Sequence, residues 1–198
     1  MMTATKQRNS IQFFDDGYVT EEQIPRSFSV TFKEIISNGI SEVQVIYNNQ
    51  NQVGDVINDN SYKNDFYRYH DIFHYSFATL LGWSPCARAM MKRKRKTNEI
   101  IDKVEDGARA AITEEALSMI IFNEAKKKDY FKNKDKVSKV TLRIIKEMTE
   151  NFEVSARNSD EWQYAILKSY EVFRFLIENK GGTVEFDAYD KQIRYFVI

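Results

Sequence analysis

The sequence predicts an α+β fold: a mainly helical core of about five helices, with a small antiparallel sheet formed by an N-terminal and a C-terminal hairpin. Apolar residues alternate with polar ones over 28–47 and again over 184–197, which is the pattern of half-buried strands. Between them, residues 61–179 show apolar residues at helical spacing. Strands at both ends of a helical centre favour one sheet that joins the two ends of the chain.

The first hairpin is predicted by Phe28, Val30 and Phe32, which share one face of a strand, and by the Asn-Gly pair at 38–39. The first helix runs through Phe66, Phe73 and Phe77 and ends at Gly82. The second predicted helix begins at Ser84-Pro85, and the third runs from about Glu105 to Lys126. The fourth runs through Val137–Met148, and the fifth runs from Ser159 to a stop signal at Asn179–Gly182. The middle of the third helix, 112–122, is apolar nearly all round, which predicts a central buried helix.

Length and composition predict one domain over 13–198 after a polar lead-in at 1–12. A formal net charge of zero gives no overall field that would attract nucleic acid. The single cysteine, Cys86, excludes an internal disulfide. With no apolar signal core and no apolar run long enough to span a bilayer, we expect a cytoplasmic protein with no membrane contact.

Both histidines of the chain fall in one short segment, His70-Asp71-Ile72-Phe73-His74. Residues four apart lie on the same face of a helix, and Phe66, Phe73 and Phe77 place that face toward the interior. A histidine pair with this spacing can bind one divalent ion, and Asp71 is close enough to ligate it or to orient a ring.

A second set of ionisable residues lies in the third predicted helix. Glu114 and Glu115 both fall among apolar neighbours, where a carboxylate is costly without a cation or a donor. Two packed helices could therefore present His70, Asp71, His74, Glu114 and Glu115 as metal ligands, with Glu114, Glu115 and Asp71 as catalytic groups. Carboxylate-lined helical pockets hold Mg²⁺ against phosphates, so Mg²⁺ or Mn²⁺ is the expected cofactor.

Further residues are assigned around this site. Glu105 and Asp106 are expected to support the ligands, and Arg109, Lys92 and Arg93 to contact phosphate. Simpler roles stay open: Arg109 could pair with Glu105 one turn away, and the basic run 92–96 could be a solvated helix end. The histidines could also be core residues hydrogen-bonded to Glu114 or Glu115. Cys86 follows a predicted helix start, a position that lowers a thiol pKa.

Several short motifs, in order, resemble the C-terminal domain of MazG-like nucleoside triphosphate pyrophosphohydrolase proteins. They cover nearly the whole chain, from about Phe13 to Phe196, and comprise Phe14–Tyr18, Ile24–Arg26, Tyr67–His74, Leu81–Pro85, Lys92–Lys96, Val104–Arg109 and Glu114-Glu115. In proteins of that type, an N-terminal helical domain carries the E-x-x-E and E-x-x-D motifs that hold Mg²⁺. We do not expect that domain in this sequence, and Glu99-x-x-Asp102 and Glu147-x-x-Glu150 are not assigned as its ligands.

Three functions follow as hypotheses. The first is a metal-dependent nucleotide phosphohydrolase that cleaves between the α and β phosphates of a nucleoside triphosphate. The second is a non-catalytic protein that binds a nucleotide or regulates a separately encoded MazG-type enzyme. The third, nucleic-acid binding through residues 92–96, is ranked last because the chain has no net charge. A homodimer is expected only as the commonest state of soluble oligomers.

Overall fold

The computed structural model describes residues 13–52 and 54–198, and the predicted lead-in at 1–12 lies outside them. Its five strands form one antiparallel sheet in the order β3-β2-β1-β4-β5. The strands are β1 (Ser27–Ser37), β2 (Ile40–Tyr47), the two-residue β3 (Asn51–Gln52), β4 (Gly181–Asp187) and β5 (Gln192–Phe196). The N-terminal and C-terminal hairpins meet where β1 pairs with β4, so the predicted α+β class and the predicted sheet are confirmed.

The turn between β1 and β2 is formed by the predicted Asn-Gly pair. Asn38 has φ of 50° and Gly39 has φ of 79°. Positive φ at both central residues is what a tight hairpin requires to match the twist of its strands. The pairing that follows places Phe28 opposite Phe186 and Val30 opposite Val184 across β1 and β4.

Within the described residues, six α-helices follow one another along the centre of the chain, one more than the five predicted. They are α1 (Asp71–Leu80), α2 (Pro85–Met90), α3 (Glu99–Val104), α4 (Ala108–Lys126), α5 (Lys139–Thr149) and α6 (Ser159–Asn179). The additional helix is α3, whose first turn is capped by the Asn98 side chain accepting from the Ile101 N–H. Short 3₁₀ helices lie at Thr20–Glu22, Tyr67–Tyr69 and Glu153–Ala156.

The central buried helix is α1, not the predicted third helix. All ten residues of α1 are buried, and the ring of Phe73 stacks on Tyr170 of α6 with 4.6 Å between ring centroids. On α4, by contrast, Ile112 is 68% exposed and Met119 is 41% exposed, so the expectation that its middle is buried all round was wrong. Those two apolar residues lie on the solvent face of an amphipathic helix.

Local signals place α2 between α1 and α4. Gly82 takes φ of 73° just after α1, which turns the chain, and Ser84 then caps α2 by accepting from the Ala87 N–H at 2.9 Å. Pro85 follows at the first helical position, as predicted. None of the described helices has the length and apolar character that crossing a membrane requires.

Candidate metal centre

His74 of α1 and Glu114 of α4 form a buried pair. The Nδ1 atom of His74 lies 2.8 Å from Oε1 of Glu114, and each side chain is 1% exposed. Because a carboxylate only accepts hydrogen bonds, Nδ1 must carry the proton. Glu114 also accepts from the Ser84 hydroxyl at 2.7 Å and from the Cys86 N–H at 2.9 Å. Three donors therefore occupy this carboxylate, and its cost of burial is offset within the protein.

The second ring nitrogen of His74, Nε2, lacks a comparable hydrogen bond among the described residues. This atom is buried and has no hydrogen-bond partner there. It lies 3.3 Å from Oε1 of Glu115, whose side chain is 46% exposed, but the two groups are not aligned as a hydrogen bond. An imidazole nitrogen 3.3 Å from a half-exposed carboxylate forms an ion pair when the ring is protonated, and the two groups would form a ligand pair if a cation displaced that proton.

The charges of these groups reinforce one another. Burial lowers the pKa of His74, but the charge of Glu114 and the contacts with Cys86, Glu114 and Glu115 together outweigh it and hold that pKa well above its ordinary value, so both ring nitrogens carry a proton at neutral pH. Contact with His74 lowers the pKa of Glu115 to about 2 against the opposing effect of burial. Glu115 is therefore ionised at neutral pH and available as an acceptor or a ligand.

His70 and Asp71 form the adjoining part of the cluster. The His70 ring lies 4.3 Å from the Tyr67 ring in a parallel stack, and its Nδ1 donates to the Tyr67 carbonyl at 3.0 Å. Burial lowers the pKa of His70, which favours the neutral ring with a lone pair on Nε2. That Nε2 lies 3.3 Å from Oδ1 of Asp71, so two acceptors face each other and a cation between them would satisfy both.

Ligand atoms of His70, Asp71 and His74, one from each residue, all lie within 4.8 Å of one another. The structure thus brings together three of the five predicted metal ligands, and Glu115 lies 3.3 Å from one of them, His74. Glu114, the fifth, contacts the other ring nitrogen of His74, Nδ1.

Cys86 completes the surroundings and was not assigned to the site from the sequence. Its Sγ lies 3.7 Å from Oε1 of Glu115 and 3.7 Å from the Ala111 carbonyl oxygen. Burial raises the pKa of the Cys86 thiol to about 12, the opposite of the lowering expected at a helix start. Desolvation thus outweighs the short α2 dipole. The signal that could have found Cys86 is the Ser84-Pro85 helix start, which fixes α2 next to α1.

Glu105 and Asp106 belong to a different cluster, on the opposite side of α2. Asp106 binds Arg95 at 2.7 Å and lies 3.5 Å from Arg88, while Glu105 accepts from the backbone N–H of Glu153. Cys86 and Arg88 are two positions apart on α2, about 200° around the helix, which explains why each faces one cluster. The two sets of ionisable residues are therefore separate rather than walls of a single cleft.

The three predicted phosphate contacts lie in exposed or half-buried positions. Arg93 donates to the Thr20 carbonyl oxygen at 3.0 Å, whereas Lys92 is exposed at a residue with φ of 57°. Arg109 is on α4, about 9 Å along the axis from Glu115, and it lines a cavity of about 300 Å³ together with Lys103 and others. It shows no ion pair with Glu105 within the described residues.

The fold and the site define an α+β domain in which a histidine–carboxylate cluster and a buried ion network lie on either side of a short helix. The chain matches the family model of the MazG C-terminal domain over residues 9–197 and belongs to that family. The resemblance noted in its sequence motifs is thereby confirmed. The comparisons with curated proteins and with solved structures each gave no match.

Proposed function

We propose that the protein is a metal-dependent nucleotide phosphohydrolase in which His70, Asp71, His74 and Glu115 hold a divalent cation. The observation that carries this proposal is the Nε2 atom of His74, which is buried, lacks a hydrogen-bond partner and lies 3.3 Å from the Glu115 carboxylate. Membership in the MazG C-terminal domain family supports a MazG-related role. The nucleotide substrate is taken from the resemblance to nucleoside triphosphate pyrophosphohydrolase proteins.

The proposed ligand set differs from the predicted one in the role of Glu114. Its two oxygens already accept from His74, Ser84 and Cys86, and its side chain is 1% exposed, so it is less available to a cation than Glu115. We assign Glu114 to holding the His74 ring in the orientation that directs Nε2 toward Glu115; because the raised pKa of His74 keeps a proton on Nε2, a cation would have to displace that proton on binding. Carboxylates that orient a ligating histidine in this way are a general feature of metal sites.

The chain's own groups supply binding and orientation. A divalent cation, when bound, would polarise a phosphoryl oxygen and make water a better nucleophile. Glu115, half exposed and ionised, forms the side from which a substrate reaches the cluster. Lys92 and Arg109 remain proposed phosphate contacts, since both are exposed and neither side chain donates to a protein acceptor in the described residues. Cleavage between the α and β phosphates remains the proposed reaction.

The test is turnover of a panel of nucleoside triphosphates with Mg²⁺, Mn²⁺ or Zn²⁺, followed by chromatography of the products. We expect the wild type to release a nucleoside monophosphate, and His74→Ala and Glu115→Gln to lose about 100-fold or more of that rate. Glu147→Gln is the matched control, because Glu147 is 67% exposed on α5. Absence of turnover with every cation, or equal rates in wild type and both site variants, would overturn the proposal.

A second candidate is a non-catalytic partner of a separately encoded MazG-type enzyme. It is favoured by the exposed apolar residues Ile112 and Met119, which lie about one turn before and after Glu115 on α4. This role predicts that the protein changes the rate of a MazG-type enzyme without turnover of its own. Ile112→Glu should abolish that effect while leaving metal binding intact.

A further inference from the structure

Cys86 lies close enough to the proposed metal site to belong to it. Its Sγ is 3.7 Å from Oε1 of Glu115, and its position is fixed because its backbone N–H donates to Glu114. Ligand atoms of His74, Cys86 and Glu114, one from each residue, lie within 4.8 Å of one another; since Glu114 is occupied by its three donors, this grouping shows only that Cys86 lies beside His74. A lone thiol is no site by itself, but here it adjoins the one buried histidine nitrogen that has no partner among the described residues.

Two distances from Oε1 of Glu115 are close to the edges of a tetrahedral zinc site. Zinc bonds of about 2.0 Å to nitrogen and oxygen and about 2.3 Å to sulfur give edges of about 3.3 Å between N and O and about 3.5 Å between S and O. The observed separations are 3.3 Å from His74 Nε2 to Glu115 Oε1 and 3.7 Å from Cys86 Sγ to the same oxygen.

We propose that Cys86 is a sulfur ligand of this site and that the site takes Zn²⁺, or another borderline-soft cation such as Co²⁺, rather than Mg²⁺. The inference rests on the metal site of the proposed function and specifies its cation. Thiolate and imidazole ligands favour such cations, whereas Mg²⁺ prefers oxygen and retains its water. On binding, the S–H bond of Cys86 is replaced by a sulfur–metal bond and the proton leaves to solvent. Asp71, which has one ligand atom within 4.8 Å of one of His74, is the fourth ligand of the proposed site, and Cys86 takes the place of His70 in the ligand set of the proposed function.

Cobalt absorption spectroscopy of the full chain tests this assignment. Co²⁺ added to the wild type should give visible ligand-field bands together with a near-ultraviolet sulfur-to-cobalt charge-transfer band. Because Cys86 is the only cysteine of the chain, that band can have no other protein origin. In Cys86→Ser and Cys86→Ala, the charge-transfer band should vanish while the visible bands persist, since the histidine and carboxylate ligands remain.

Competition for the cobalt-loaded protein measures selectivity. Zn²⁺ should displace Co²⁺ at stoichiometric amounts, Mg²⁺ should fail to do so in large excess, and Cys86→Ser should weaken Zn²⁺ binding by about tenfold or more. Wild-type protein that binds no Co²⁺, binds it without the charge-transfer band, or releases it to Mg²⁺ would overturn the inference.

These outcomes are separate from those of the turnover assay. The charge-transfer band without turnover of any triphosphate would reject the hydrolase and retain the sulfur ligand. Turnover of a triphosphate without the charge-transfer band would retain the hydrolase and reject the sulfur ligand. Thermal unfolding of Cys86→Ser and Cys86→Ala in the absence of metal identifies any loss of metal binding that comes from misfolding. The variant that still unfolds cooperatively is the one used in the cobalt and zinc titrations.

Discussion

The Nδ1 atom of His74 donates to Oε1 of Glu114 across 2.8 Å, and both side chains are sealed from solvent. This bond joins α1 to α4 and decides which ring nitrogen remains for a ligand. The Ser84 hydroxyl and the Cys86 N–H, from the start of α2, bind the same carboxylate. One buried charge thus fixes the relative positions of three helices and the orientation of the candidate metal ligand.

Replacing Glu114 with glutamine should weaken both stability and metal binding. The amide keeps the shape but loses the charge, and its NH₂ group faces donors where the carboxylate oxygen accepted them. We expect a loss of about 1–3 kcal/mol in the free energy of unfolding and about 10–100-fold in metal affinity. Denaturant titration and metal titration measure the two effects. Glu147→Gln, on the exposed face of α5, should change neither, and equal behaviour of the two variants would contradict the role given to Glu114.

Asp15 anchors the segment before β1 to α2. Its carboxylate binds Arg26 at 2.6 Å and Arg88 at 2.7 Å, and it accepts from the Ile24 N–H at 2.7 Å. Asp15→Asn leaves the buried Arg88 guanidinium without this charge, so we expect a loss of about 3–5 kcal/mol in the free energy of unfolding. The neighbouring Asp16→Asn is the control: Asp16 is 52% exposed, and its loss should cost about 1 kcal/mol or less. Equal losses in the two variants would refute the anchoring role.

The same carboxylate predicts how stability depends on pH. Burial raises the pKa of Asp15, but the hydrogen bond from Arg26 and the charge of Arg88 outweigh it, so the folded pKa lies below the ordinary value. The stabilisation is therefore complete above about pH 4 and is lost as the pH falls through the folded pKa. The difference in unfolding free energy between wild type and Asp15→Asn should be constant near neutrality and shrink in acid. A difference that grows on acidification would have the wrong sign.

Gly107 should not tolerate even a methyl group. A Cβ built there would lie 2.1 Å from the Lys103 carbonyl oxygen, a backbone atom that cannot move aside freely. Gly107→Ala should therefore lower the free energy of unfolding by about 1–3 kcal/mol, because α3 and α4 must separate. Gly17→Ala is the matched control, since nothing lies within 4 Å of a Cβ at Gly17. Thermal melts of the two variants compare them directly, and an undisturbed Gly107→Ala would show that the α3–α4 junction is looser than described.

The sequence predicted the sheet well because its signals are local. Alternation in β1 and β4 and the Asn-Gly turn at 38–39 depend on neighbouring residues alone. The helix start at Ser84-Pro85 was also predicted from a local cap, and α6 begins at the predicted Ser159, after an Asn158 cap that was not identified from the sequence. The short α3 was missed because six residues give too little periodicity to recognise.

The burial of α4 was misjudged for a different reason. Its apolar run is continuous in the sequence, but only tertiary packing decides which side of a helix faces the core. Ile112 and Met119 face solvent while Leu117 and Ile121 face the interior.

The spatial grouping of the candidate site residues was predicted in part, and their function stays a prediction. The pairing of His70, Asp71 and His74 follows from helical spacing, and proximity to Glu114 and Glu115 follows from the cost of burying carboxylates. The separation of Glu105 and Asp106 into their own ion network could not be read from the sequence. That separation depends on the ion pairs of Asp106 with Arg88 and Arg95, two arginines that become buried only when the chain folds around α2.

The most direct test of a metal site at this cluster is X-ray diffraction from crystals grown with Zn²⁺, with anomalous difference density calculated at the zinc edge. A peak about 2.0–2.3 Å from His74 Nε2, Glu115 Oε1 and Cys86 Sγ is the result we predict. Density that shows no ion, with the imidazole of His74 hydrogen-bonded directly to Glu115, would reduce the cluster to a structural pairing and contradict the account.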